Sequence, residues 1–145
     1  MADFVVSLTR KGREMEAQQL LYGYGFRMDY FVLGSGGHDL GNPTLALPLD
    51  IDVPGLPGQF FGPEPIDVQE LVTPTCPRFT CIVQAGEAVG GISNLGLYAS
   101  ILSVPAGSPP TAPFVGSTFL YAITNFPLRY KVSASMETFT VSIKT

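Results

Sequence analysis

Gly86-Glu-Ala-Val-Gly-Gly-Ile-Ser-Asn-Leu-Gly-Leu-Tyr-Ala99, running on into Ser100 and Ile101, is the stretch that decides the fold. It opens with a glycine-flexed turn. Leu95, Leu97, Ala99 and Ile101 then alternate, as a strand must when one of its faces is buried. Gly96 and Tyr98 fall on the opposite face. Gly90 and Gly91 stand just before the strand, where a bulge or bend needs backbone freedom. Nothing in the stretch is catalytic machinery. It predicts a core strand with a shaped approach.

Working outward, Arg78–Gln84 reads as a strand in which Phe79, Cys81 and Val83 share a face, while Ile66–Val72 alternates weakly and is broken off by Pro74 and Pro77. Downstream, Phe119–Thr124 is a strand, Asn125-Phe126-Pro127 turns out of it, and Arg129–Ala134 is a further strand. In Thr138–Ile143 the residues Phe139, Val141 and Ile143 face in. A proline-rich loop, Pro105–Pro113, separates the central strand from these.

The N-terminal third contains the one helical pattern. Thr9 can cap a helix by accepting from a free first-turn amide. Arg10–Tyr22 follows, and Gly23 is suited to a left-handed end. Met15, Leu21 and Tyr22, with Ala17 and Leu20, form an apolar stripe; Glu14, Glu16, Gln18 and Gln19 stay in water. The helix either packs on the sheet or meets a neighbouring subunit. Met28–Leu33 is a strand and Gly34-Ser35-Gly36-Gly37 a turn. Without a Lys-Ser/Thr ending or a following helix, that turn is not a phosphate-binding loop. His38 and Asp39 sit on a loop with no nucleophile placed beside them.

Residues 41–65 carry Pro43, Pro48, Pro54, Pro57, Pro63 and Pro65, which excludes a helix and confines any strand to an edge. Leu45, Leu47, Leu49, Ile51 and Val53 alternate along it as an edge strand or extended arm. Asp50 and Asp52 lie two apart, but two carboxylates are thin support for a cation site. Gly55–Pro65, with Phe60 and Phe61, reads as a long loop.

The totals agree with a β chain. There are 145 residues, enough for one domain with a core, and charged residues make up only 14%. With 16 glycines and 13 prolines, short strands and ordered loops are expected. So few charges would leave a free monomer poorly soluble, so much of the surface is expected to be covered in an assembly. A net charge of −4 and scattered basic residues argue against nucleic acid. No apolar run is long enough for a membrane span, and no signal peptide is apparent, so folding in a cytoplasm is expected. The single histidine and two cysteines, Cys76 and Cys81, do not make a zinc set. The cysteines are free thiols or one bridge.

The order of these features resembles the N-terminal domain of bacteriophage tail-collar fibre proteins. The resemblance rests on Leu8-Thr9-Arg10-Lys11-Gly12 and its helix, Gly34-Ser35-Gly36-Gly37, Gly90-Gly91-Ile92 leading to Leu95-Gly96-Leu97-Tyr98, and Asn125-Phe126-Pro127 before Tyr130-Lys131. Asn94 stands where that family usually has an acidic residue, and the Ser103–Pro113 insert replaces a short turn. The resemblance implies one attachment domain over 1–145: a helix at about 10–22, a proline-rich arm at about 41–65 and a β core at about 66–145. The fold expected is mainly β, an antiparallel β-sandwich with one N-terminal α-helix and long Pro/Gly-rich loops.

The function that the resemblance implies is that of a structural virion protein. It would be an adaptor attaching tail fibres to the baseplate, assembled in the host cytoplasm and resident in the virion tail. Since no fibre shaft follows Thr145, the fibre itself is expected on another chain. Partners are then the baseplate protein and the tail-fibre chain, with homo-oligomers, trimers above all, favoured. No enzyme activity, cofactor or metal is expected. Phe60, Phe61, Pro109, Pro110 and Pro113 are the partner-contact candidates, because aromatics and prolines there fall outside any expected core strand. The alternatives are another virion part, such as a head decoration or connector, and a carbohydrate-binding β-sandwich module. The last would need Tyr22, Tyr24, Tyr30 or Tyr98 on an exposed groove.

Overall fold

The computed structural model describes residues 2–143; Met1, Lys144 and Thr145 lie outside them. The elements run β1 (Ala2–Leu8), α1 (Arg10–Tyr22), β2 (Gly25–Gly34), β3 (His38–Asp39), β4 (Asn42–Ala46), β5 (Gln59–Pro65), β6 (Val68–Thr73), β7 (Cys76–Val83), β8 (Gly90–Ser103), β9 (Thr118–Lys131) and β10 (Glu137–Ile143). The chain is mainly β with one helix, as its composition predicts.

Eight strands form one sheet in the order β5-β2-β8-β9-β1-β10-β7-β6, and β3 pairs with β4 alone. The expected antiparallel arrangement is corrected to a mixed one. β1 runs parallel to β10, with Phe4 opposite Val141. Its last residues, Ser7 and Leu8, pair antiparallel with Ile123 and Ala122 of β9. Local alternation fixes which face of a strand is buried, but not which distant strand lies beside it or in which direction. At the other end, β5 passes into β6 through Ile66 and Asp67. Their amides donate to the carbonyls of Asp29 on β2 and Thr80 on β7, at 3.0 Å each. The chain thus steps from one end of the strand order to the other. Side chains of both halves, among them Phe31, Leu97, Phe79, Phe139 and Val141, meet in one buried cluster.

β8 carries the alternation read from its sequence, and Leu95, Leu97, Ala99 and Ile101 all lie in that cluster. Gly90 takes φ 128, a conformation that L side chains rarely adopt. Just beyond it the register with β9 shifts between Ile92 and Asn94. On β9 the shift absorbs Phe126, Pro127 and Leu128, so Pro127, which has no N–H to donate, sits where the ladder is already interrupted. The expected turn at Asn125–Pro127 is therefore a bulge inside one long strand, and residues 132–136 turn instead of continuing a second one.

The arm is also corrected. Gln59–Pro65 is a strand, not a loop, because β2 offers it a backbone edge: Tyr30 pairs with Pro65 and Leu33 with Phe61. Its prolines are tolerated because β5 is hydrogen-bonded on one side only. The alternating leucines do not form a single strand. Only Asn42–Ala46 is extended, and residues 47–58 wind back over the outer face of the sheet. There Leu56 joins Val32, Leu120 and Ile123 in a second, smaller cluster.

Thr9 caps α1 as expected, its Oγ1 accepting from Gly12 N at 2.9 Å, and Gly23 ends it at φ 78. The apolar stripe differs. Gly12 and Met15 are the buried residues, with Gln18 and Gln19 half-buried, while Leu20 and Leu21 are exposed. Gly12 sets this rotation. A Cβ there would lie 2.3 Å from the Tyr121 carbonyl oxygen, so only glycine lets the helix rest on β9. Cys76 and Cys81 are free. They lie five residues apart on one extended strand, roughly 16 Å, far beyond disulfide reach.

Candidate functional site

Tyr30 of β2 and Tyr98 of β8 are direct cross-strand partners. They stand on the outer face of the sheet, beyond the part that the arm covers. A cavity of about 190 Å³ lies over them, walled also by Val32, Gln59, Pro63 and Thr118. Tyr98 and Thr118 also line a second cavity of about 420 Å³, closed by the first turns of α1 and by Asp52–Pro54 of the arm. Lys11, Thr118 and Phe119 continue into a third of about 330 Å³, which runs beside α1 to Thr111 and Pro113. The three lobes share lining residues, Thr118 in all of them, and are treated together as one groove.

The groove exists because the arm is pinned to the start of the helix. Arg10 N donates to Ile51 O at 2.8 Å, and the Arg10 guanidinium is paired with Asp52. The hydrogen bond from Arg10 holds the Asp52 carboxyl below its ordinary range, and the same bond raises Arg10. Asp50 accepts from Asp52 N at 3.0 Å, which shapes the turn. The two aspartates thus have structural partners. Among the described residues no group of three or more potential metal ligands is found. Burial raises the Tyr98 hydroxyl. Among the described residues, the hydroxyls of Tyr30, Tyr98 and Thr118 have no hydrogen-bond partner.

The four tyrosines named from the sequence separate into two pairs. Tyr30 and Tyr98 line the groove. Tyr24 is buried and Tyr22 packs against it, ring centroids 5.6 Å apart, at the far end of α1.

The partner-contact candidates separate as well. Phe60 points outward, 45% exposed, whereas Phe61 is half-buried with its ring 6.2 Å from Phe31. Pro110 is exposed, Pro109 half-buried, and Pro113 half-buried in the wall of the third lobe. More prominent apolar residues were missed: Leu20 is 90% exposed, Leu21 73% and Phe114 85%. Phe114 had a signal in the sequence, an aromatic following Pro113. Leu20 and Leu21 had none, because their exposure depends on how Gly12 rotates the helix.

One pair was not foreseen. His38 Nδ1 lies 2.9 Å from Ser93 Oγ. Ser93 is fully buried and also accepts from Gly37 N at 2.8 Å. With both contacts turned toward the Gly34–Gly37 turn, the serine oxygen has no room for a substrate. The pair fastens that turn onto β8. The Asp39 carboxylate does not complete a triad, since it accepts from Gly41 N at 2.8 Å.

Comparison with known protein families, curated proteins and solved structures finds no match to this chain.

Proposed function

We propose that this chain is a structural protein of a bacteriophage tail, an adaptor that joins tail fibres to the baseplate. We also propose that the two halves of its sheet act as the layers of a sandwich that share β1. The observation that carries the structural reading is exposed apolar surface on a chain poor in charge. Leu20 and Leu21 on α1, Phe114 and Val115 in the Pro105–Ser117 loop, Phe60 on β5, and Leu71 and Val72 on β6 are all solvent-exposed in the single chain. Exposed apolar side chains of this kind are what permanent interfaces bury. The tail assignment rests on the resemblance of the ordered motifs. The partners are then a baseplate protein, a fibre chain and further copies of this chain, a trimer being favoured.

Immunogold labelling of purified particles with antibody against this chain tests the reading. Label at the distal end of the tail is expected. Label on the head would transfer the role to decoration or connection. No label on intact or disrupted particles would overturn it.

A further inference from the structure

We infer that the groove floored by Tyr30 and Tyr98 is a binding site for a neutral oligosaccharide. The inference is independent of the adaptor reading and does not need it. The chemistry is that of a sugar subsite. Pyranose rings present an apolar C–H face that rests on an aromatic ring, and a rim of hydroxyls that needs both donors and acceptors. Here two adjacent aromatic side chains form the floor. Among the described residues the hydroxyls of Tyr98 and Thr118 have no partner, and they can donate or accept. The Gln59 carboxamide, in the wall of the first lobe, makes one long contact among the described residues, at 3.5 Å to Gly62 O.

The shape suits a chain of residues rather than one compact molecule. The central lobe, at about 420 Å³, is in the range of small-molecule sites, and Thr118 lines all three lobes in succession. The charges select a neutral ligand. Arg10 and Asp52 neutralise each other, and Lys11 and Glu14 add one charge of each sign. No surplus of cations is left for a phosphate or sulfate chain, which would need one.

The test is an amide-shift titration of the full chain by NMR with cellohexaose, maltohexaose and chitohexaose, and with a heparin hexasaccharide as the polyanion. At least one neutral hexamer is expected to move the amides of Gln59, Tyr98 and Thr118. Thr118→Arg fills the groove from an exposed position without entering the core, and should weaken that binding tenfold or more. Tyr98→Ala should do the same, Tyr98→Phe less, and Tyr130→Ala, on exposed surface outside the groove, not at all. If Tyr98→Ala fails to fold, Thr118→Arg alone decides. The inference is overturned if no neutral hexamer moves these amides at about 10 mM, well above a millimolar Kd. It is equally overturned if binding survives Thr118→Arg, or if heparin binds better than every neutral chain.

Discussion

The two faces of β8 are both covered, but by different kinds of structure. On the inner face Leu95, Leu97, Ala99 and Ile101 meet side chains of other strands, whose backbones are fixed by their own ladders. On the outer face Gly96 lies beneath Val32, Leu120 and Leu56, and Leu56 belongs to an irregular arm. The inner contacts form only if the whole sheet forms. The outer contact can be undone by lifting one segment. Global stability is therefore expected to reside in the first, and local opening in the second.

The largest effect should come from the inner face. Leu97→Ala leaves a cavity among strands that cannot collapse, and should cost about 4 kcal/mol in urea unfolding. A loss below about 1 kcal/mol would mean that the cluster is looser than its burial indicates.

Alkali attacks the same face through Cys81. Burial pushes this thiol up from the ordinary 9.0 to about 12, with Asp67 adding a smaller push. The folded state thus holds the proton more tightly than the unfolded state. Its contribution is complete below the ordinary value and fades as pH rises through about 12. Linkage puts that contribution on the order of 4 kcal/mol at most. Stability measured against pH should fall across this window, and Cys81→Val should flatten the fall. An unchanged slope in the variant would assign the alkaline loss to other groups, of which Tyr121, raised by burial and by its bond to Glu16, is the first candidate.

Leu56→Ala probes the outer face. About 2 kcal/mol is expected, at the low end for a buried leucine, because the arm can settle into the space. The sharper signature is in hydrogen exchange. The amides of Leu47 and Gln59, bonded to Gly37 and Leu56, should lose protection while those of β8 keep theirs. Equal loss on β8 would erase the distinction between the faces.

Asp52→Asn should give the smallest effect. The pair it breaks is exposed, and the unfolding midpoint should stay put. Exchange at Arg10 N, which Ile51 O holds, should quicken slightly.

The sequence made the inner face legible because its alternation is carried by large apolar side chains at a period of two. Phe139, Val141 and Ile143 on β10 were readable for the same reason, and so were the caps Thr9 and Gly23. The outer face was not legible. Leu45, Leu47 and Leu49 alternate as a strand would, yet they remain partly exposed, and Leu56, outside that pattern, is the residue that packs. Prolines suppressed the reading of β5, whose partner, β2, becomes available only through the tertiary fold. Of the groove, Tyr30 and Tyr98 could be named as candidates from the sequence. Their pairing depends on a register shift between Met28 and Tyr30 that no local pattern announces.

The placement of β1 has a kinetic consequence. It precedes every other strand of its sheet in sequence, yet its neighbours are β9 and β10, which follow all the rest. Until Val141 has left the ribosome, Phe4 has no ladder partner on that side. During synthesis this apolar strand is an unpaired edge, open to pairing with any other nascent chain. Pairing β1 with β10 also closes a very long loop, from Phe4 to Val141, so refolding should be slow for a domain of this length. The β1–β10 contact cannot form before β10 is made, and the interval before it forms is when the chain is expected to be most prone to aggregate.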